Sequence, residues 1–267
     1  MPTAGEQMHW SIDHDTGFQR PYFGNALRAV LESWAPGTAH DGAVRRYELL
    51  PNYAAGWHQG WLDGGGELRI GGAEIARGPD SSGGAHYRVS HDNATSGERV
   101  ALDFHTTGDP LPRLTGAWSV TTTNSAGDGY RGIEVAGSTA VDSGRRVVSL
   151  SINGIELRTG ELDAAVPLTS WWALFDGLPS IVAGAEEGEP FAVLEDLEKV
   201  RTPCTVRALA DGPIEVAGHR LRGYCQHGAG MLPSYWWLDE GSTVCVVTST
   251  LHTMVLRAPG GGEAGSA

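Results

Sequence analysis

The pair Asn153-Gly154, set in RRVVSLSINGIELRTG (145–160), constrains this chain more than any other feature. A two-residue Asn-Gly link between strand-like runs is the signature of a type I′ hairpin, because both central residues need positive φ. The same punctuation recurs roughly every ten residues along the chain, with β-branched or alternating runs between the turns, a rhythm typical of antiparallel β structure. A second hairpin is predicted in SYWWLDEGSTVCVVTST, turning at Asp239-Glu240-Gly241. A third is predicted in TVRALADGPIEVAG, turning at Asp211-Gly212. Further strands are predicted over 43–50, 67–76, 85–91, 98–106, 114–122, 129–138 and 250–257.

Helical signals are few. Leu27, Val30, Leu31 and Trp34 recur at i, i+3, i+4 and i+7, which predicts a helix over 26–34 capped by Asn25 and stopped at Pro36-Gly37. LTSWWALFDGLPSI predicts a second, and EPFAVLEDLEKV a third with Pro190 near its first turn. The expected fold is therefore mainly β, an antiparallel sheet or a barrel-like or cup-shaped architecture with two or three short helices. It is read as one domain over 1–267, with tails at about 1–7 and 258–267 and a lid or boundary loop at 182–190.

Charge narrows the partners. The net charge of −13 opposes nucleic acid and anionic membrane surfaces, which repel an acidic protein. No apolar run approaches the roughly 20 residues that a spanning helix needs. Cys204, Cys225 and Cys245 are odd in number and widely spaced, and the N-terminus lacks a basic region followed by an apolar core. The expectation is a cytoplasmic protein with free thiols and no secretory signal.

Chemistry has to be sought in aromatic concentrations, because cofactor and nucleophile signatures are missing. There is no GxGxxG between strand and helix, no phosphate loop, no GxSxG and no HExxH. No cofactor and no metal are expected. Nine Trp and seven Tyr remain to be placed. In YCQHGAGMLPSYWWLDEG (224–241), alternation puts Tyr224 and Gln226 on one face, and Cys225 and His227 on the other. On the next strand Tyr235 and Trp237 share a face opposite Trp236. The loop GWHQGWLDGGG (56–66) brings Trp57, His58 and Trp61 close together. Trp171 and Trp172 suit a short aromatic helix laid over the mouth of a barrel. On the strand 85–91, Tyr87, Val89 and His91 share one face and His86, Arg88 and Ser90 the other. Asp103 and His105 share a face on the strand after it. They form a carboxylate–imidazole pair that would bind a metal only if His86 or His91 faced it across the sheet, and the more ordinary role of such a face is to meet solvent.

These residues predict an aromatic-lined cavity for a hydrophobic small molecule. The lining is Trp57, Trp61, Trp172, Met231 and Trp237, and the catalytic candidates are His227 or His58 as acid–base with Tyr224 or Tyr235 as hydrogen-bond donor. The expected activity is that of a cofactor-independent cyclase, isomerase or lyase in biosynthesis. The alternatives are a non-catalytic carrier of the same kind of ligand, or a carbohydrate-active β protein with stacking tryptophans and two opposed carboxylates.

Overall fold

The computed structural model describes residues 11–13, 18–20, 31–32, 44–51, 70–93, 97–108, 110–124, 132–183, 188–195, 199–216, 218–249 and 252–257. Strands β1 (Ser11–Asp13) and β2 (Phe18–Arg20) form a small antiparallel pair. The remaining strands are β3 (Val44–Pro51), β4 (Gly71–Pro79), β5 (Ala85–Asn93), β6 (Glu98–Thr107), β7 (Arg113–Asn124), β8 (Ile133–Asp142), β9 (Arg145–Ile152) and β10 (Ile155–Asp163). After these come β11 (Leu168–Ser170), β12 (Phe191–Glu195), β13 (Lys199–Val216), β14 (His219–Gly228), β15 (Ser234–Leu238), β16 (Val244–Thr248) and β17 (His252–Leu256). They make one 15-stranded open sheet in the order β10-β9-β8-β7-β6-β5-β4-β3-β17-β16-β15-β14-β13-β12-β11. Every pairing is antiparallel except β11 with β12.

The hairpin reading from sequence holds where turn chemistry is strict. Ile152 pairs with Ile155 across Asn153 (φ 49°) and Gly154 (φ 78°), as a type I′ turn requires. Asp239 closes the β15–β16 hairpin, its carboxylate accepting from Thr243 N at 2.8 Å. The third hairpin is displaced. β13 runs straight through Asp211-Gly212 as a bulge between Ala208 and Pro213, and the turn comes later, with Val216 paired to His219. A positive-φ glycine serves a bulge as well as a turn, and Gly212 sits at φ 71°.

Among the described residues one helix is found whole, α1 (Leu174–Ile181), not two or three. A 3₁₀ turn, Trp171–Ala173, leads into it, capped by the Ser170 hydroxyl accepting from Trp172 N at 3.2 Å. The helix predicted from EPFAVLEDLEKV is instead strand β12. Phe191, Ala192, Val193 and Leu194 are all buried, so consecutive side chains on both faces find cover. A short continuous apolar run of this kind reads equally as a buried strand. Of the predicted helix 26–34, Leu31 and Glu32 are helical, and its other residues, like most of the 182–190 loop's centre, lie outside the described residues. Leu31 is fully buried, and its carbonyl lies 3.2 Å from His219 Nε2.

The sheet curls until its two halves meet. The Thr169 hydroxyl on β11 donates to the Pro112 carbonyl, just before β7, at 2.5 Å, although the two strands stand far apart in sheet order. Helix α1 fills the concave side. Phe175 packs on Tyr47 of β3 and Trp236 of β15, and Gly177 lies so close to Pro112 that a Cβ there would fall 2.4 Å from Pro112 Cδ. Glycine is what permits that approach.

Candidate functional site

Register decides which side chains share the concave face. Leu256, Tyr47, Ala73 and His91 stand in one cross-strand row over β17, β3, β4 and β5. Tyr224, Trp236, Val247, Met254 and Leu49 stand in the next, over β14, β15, β16, β17 and β3. Both rows face α1, because Tyr47 and Trp236 touch Phe175. His252, two and four residues from Met254 and Leu256, shares their face by the period of two. Gln226, two residues from Tyr224, does likewise.

Rings fill this interior. The Trp171 centroid lies 5.0 Å from Trp172, 5.4 Å from Phe175 and 5.2 Å from Trp236, mostly edge-to-face or tilted. Such contacts favour the ring quadrupoles. Trp171 and Trp172 therefore pack within the curled sheet as part of a plug. They do not lie over its mouth as a lid.

At one end of the plug the lining turns polar. The His91 ring lies 6.0 Å from that of Trp172. His252 is close enough to His91 to feel its charge, and burial first, then His91, pushes its imidazole down to about 4. It is neutral at pH 7. The Trp236 indole donates to Gln226 Oε1 at 3.1 Å, while Gln226 Nε2 and Trp172 Nε1 are buried and find no hydrogen-bond partner among the described residues. Unmade buried hydrogen bonds are costly and uncommon, so each of these donors calls for an acceptor.

The His252 shift makes a pH prediction. An unfolded His takes up a proton near 6.5, whereas the folded one stays neutral down to about 4. Between these values the unfolded state binds more protons, so stability is fully present above about 6.5 and falls as pH drops towards 4. The loss reaches about 3 kcal/mol at most. Urea midpoints at pH 7 and pH 4.5 will show a drop in the wild type that is clearly smaller in His252→Asn.

The opposite end of the plug holds an ion cluster. Asp176 of α1 pairs closely with Arg45 of β3, and Arg77 Nε lies 4.0 Å from its other oxygen. Arg45 Nη1 also donates to the Phe175 carbonyl at 2.8 Å. Pro179, four residues on, has no N–H to give that carbonyl, so the guanidinium takes the vacant place. Burial, with Asp176 adding to it, pushes the Tyr87 phenol up. Beside the cluster opens a hollow of about 540 Å³ with Arg77, Thr106, Thr107, Asp176 and Ser180 among its lining.

The site residues expected from sequence divide between the two faces. Tyr224 and Trp172 reach the concave interior. His227, Tyr235 and Trp237 point to the other face, His227 Nε2 standing 3.0 Å from the Thr205 hydroxyl. Met231 lies in the loop after β14 with its sulfur 3.4 Å from Cys204 Sγ. Trp57, His58 and Trp61 lie outside the described residues, in the segment 52–69 that joins β3 to β4. The three cysteines are buried and in no disulfide, and burial raises the Cys204 thiol to about 11, so it is no nucleophile at neutral pH. Sequence reading missed His252, Trp171, Trp236 and Gln226 as lining, and it placed His91 only as a possible metal partner. The usable signal was period two in HTMVL, which aligns His252 with Met254 and Leu256.

No helix among the described residues is long and apolar enough to cross a membrane. No family model matches the chain, and no curated protein matches it. Among solved structures it is similar to a crystal structure from Brucella abortus described as a β-barrel-like protein of a domain of unknown function, DUF1849. That likeness has a TM-score of 0.51 at 13% identity, covering 80% of this chain and 94% of that one. At such identity the likeness is one of fold: this chain shares a barrel-like β architecture with that protein.

Proposed function

We propose that the protein binds a ring-bearing or conjugated apolar small molecule at the histidine end of its concave interior. There it acts on the ligand without a cofactor, as a cyclase, isomerase or lyase. The observation that carries this reading is a set of buried groups lining one interior: Trp172 Nε1 and Gln226 Nε2, donors with no acceptor among the described residues, and His252, which burial keeps neutral. Indole rings supply faces for a flat ligand, the two N–H groups supply hydrogen bonds to oxygens on it, and a neutral imidazole accepts a proton. The Trp171, Trp172, Phe175 and Trp236 rings already touch, so the guest sits against the plug and not within it.

Titration with retinol and with a naphthol, followed by tryptophan fluorescence, tests the reading. Saturable quenching is expected in the wild type, weakened about tenfold or more in a Trp172→Phe, Gln226→Leu variant that removes both donors. An absence of saturable quenching in the wild type sinks it. Mass spectrometry of the bound compound separates enzyme from carrier. Conversion that stops in His252→Asn while quenching persists marks an enzyme, whereas an unaltered ligand marks a carrier.

A further inference from the structure

On the convex face of the same sheet, β5 and β6 bring together a group that the concave site does not use. His86 and His105 are directly opposite in register, their rings stacked 4.5 Å apart and 10° from parallel. His86 Nε2 lies 2.9 Å from Asp103 Oδ2. One nitrogen from each ring and one Asp103 oxygen all fall within 4.8 Å of one another. We propose that His86, His105 and Asp103 form a binding site for a divalent transition metal, oriented by Asp80.

Three features support this. The ligand set is two imidazoles and one carboxylate on one side of a rigid hairpin, a facial arrangement suited to zinc, cobalt or nickel with water completing the shell. All three side chains are half-exposed, so an ion can reach them without opening the fold. The third feature lies one layer out. Asp80 Oδ2 faces His105 Nδ1 at 3.4 Å, which leaves Nε2 of that ring as the nitrogen for the ion. A carboxylate behind a metal-binding histidine fixes its tautomer and its direction. Asp80 is itself held in place: the Ser82 hydroxyl donates to Oδ2 at 2.6 Å and the Ser81 hydroxyl to Oδ1 at 3.3 Å. Backbone bonds from Gly83 N to Asp80 O and from Asp80 N to Gly84 O, each 3.0 Å, close the β4–β5 turn around it.

Binding puts the ion where a hydrogen bond stood. In the free protein a hydrogen on His86 Nε2 bridges to Asp103 Oδ2. When the metal enters, the neutral imidazole carries that hydrogen on Nδ1 instead, and Nε2 and the carboxylate turn their lone pairs to the ion. The ion then cross-links neighbouring strands and has no contact with the concave interior, so this site stands or falls independently of the proposed ligand.

Calorimetric titration of the full chain with Zn²⁺ and with Co²⁺ tests it. Expected are one ion per chain with a micromolar-range dissociation constant, and a Tm that rises with the ion. His86→Gln and His105→Gln will each weaken binding by about tenfold or more, and Asp80→Asn by about tenfold. Circular dichroism of each variant verifies its fold. A second measurement needs no variant: Zn²⁺ will shield His86 and His105 of the wild type from diethyl pyrocarbonate, read by peptide mass, while His227 labelling stays unchanged. The proposal is overturned if neither ion binds tighter than millimolar, if both glutamine variants bind as the wild type does, or if Zn²⁺ leaves His86 and His105 labelling unaltered.

Discussion

Trp236→Ala is expected to lower unfolding free energy by about 4 kcal/mol, the range for deleting a fully buried indole. The residue is 0% exposed, and its ring touches both Trp171 and Phe175. Its loss opens a void between the plug and β15 that the curled sheet cannot collapse to fill. It also strips Gln226 Oε1 of its indole partner, in a side chain whose Nε2 is already unpaired. Trp236→Phe separates the two effects. It keeps most of the ring contact and loses the hydrogen bond, for a cost of about 1–2 kcal/mol. Guanidinium midpoints of the two variants measure the difference. A cost below about 1.5 kcal/mol for the alanine would mean that the interior is loose and the ring packing incidental.

The second large effect is expected at Arg45. Arg45→Met removes the close partner of Asp176 and the donor to the Phe175 carbonyl that Pro179 leaves vacant. Among the described residues Asp176 then keeps the distant Arg77, 4.0 Å away, and the Tyr87 phenol beside it. Breaking a mostly buried pair from one side costs about 3–5 kcal/mol, because the remaining charge is stranded. Removing both ends costs less. The double variant Arg45→Met, Asp176→Leu should recover about half of the loss, and the double-mutant cycle reads the coupling directly. If the single and double variants are equally unstable, the pair contributes packing and not charge.

Much of the wall was legible in the sequence, and the interior was not. Strand positions followed from alternation, and the Asn153-Gly154 turn from the φ values it demands. Phe191–Glu195 misled because four apolar residues in a row carry no period, and only tertiary cover decides between strand and helix. Asp211-Gly212 misled because a bulge and a turn ask for the same backbone. The faces of β14 and β15 were read correctly, Tyr224 against His227 and Trp236 against Trp237. Which face was the inner one was not readable. That depends on where Phe175 lands and on β17 lying next to β3, the latter a pairing that joins residues about two hundred positions apart. The influence of His91 on His252 depends on the same long-range pairing. The outward pair Asp103 and His105 was seen at i, i+2, and His86 stands opposite because β5 and β6 pair as an ordinary hairpin.

The junction between β3 and β17 also sets the order in which the molecule can be assembled. As the ribosome extrudes the chain, β3 to β10 can zip up one after another, each on its predecessor. The far edge of β3 must nevertheless stay bare until 252–256 emerge, more than two hundred residues after β3 began. The wall thus closes only once β17 has left the ribosome, which makes for slow maturation and a nascent stage that offers an unpaired strand to any neighbour.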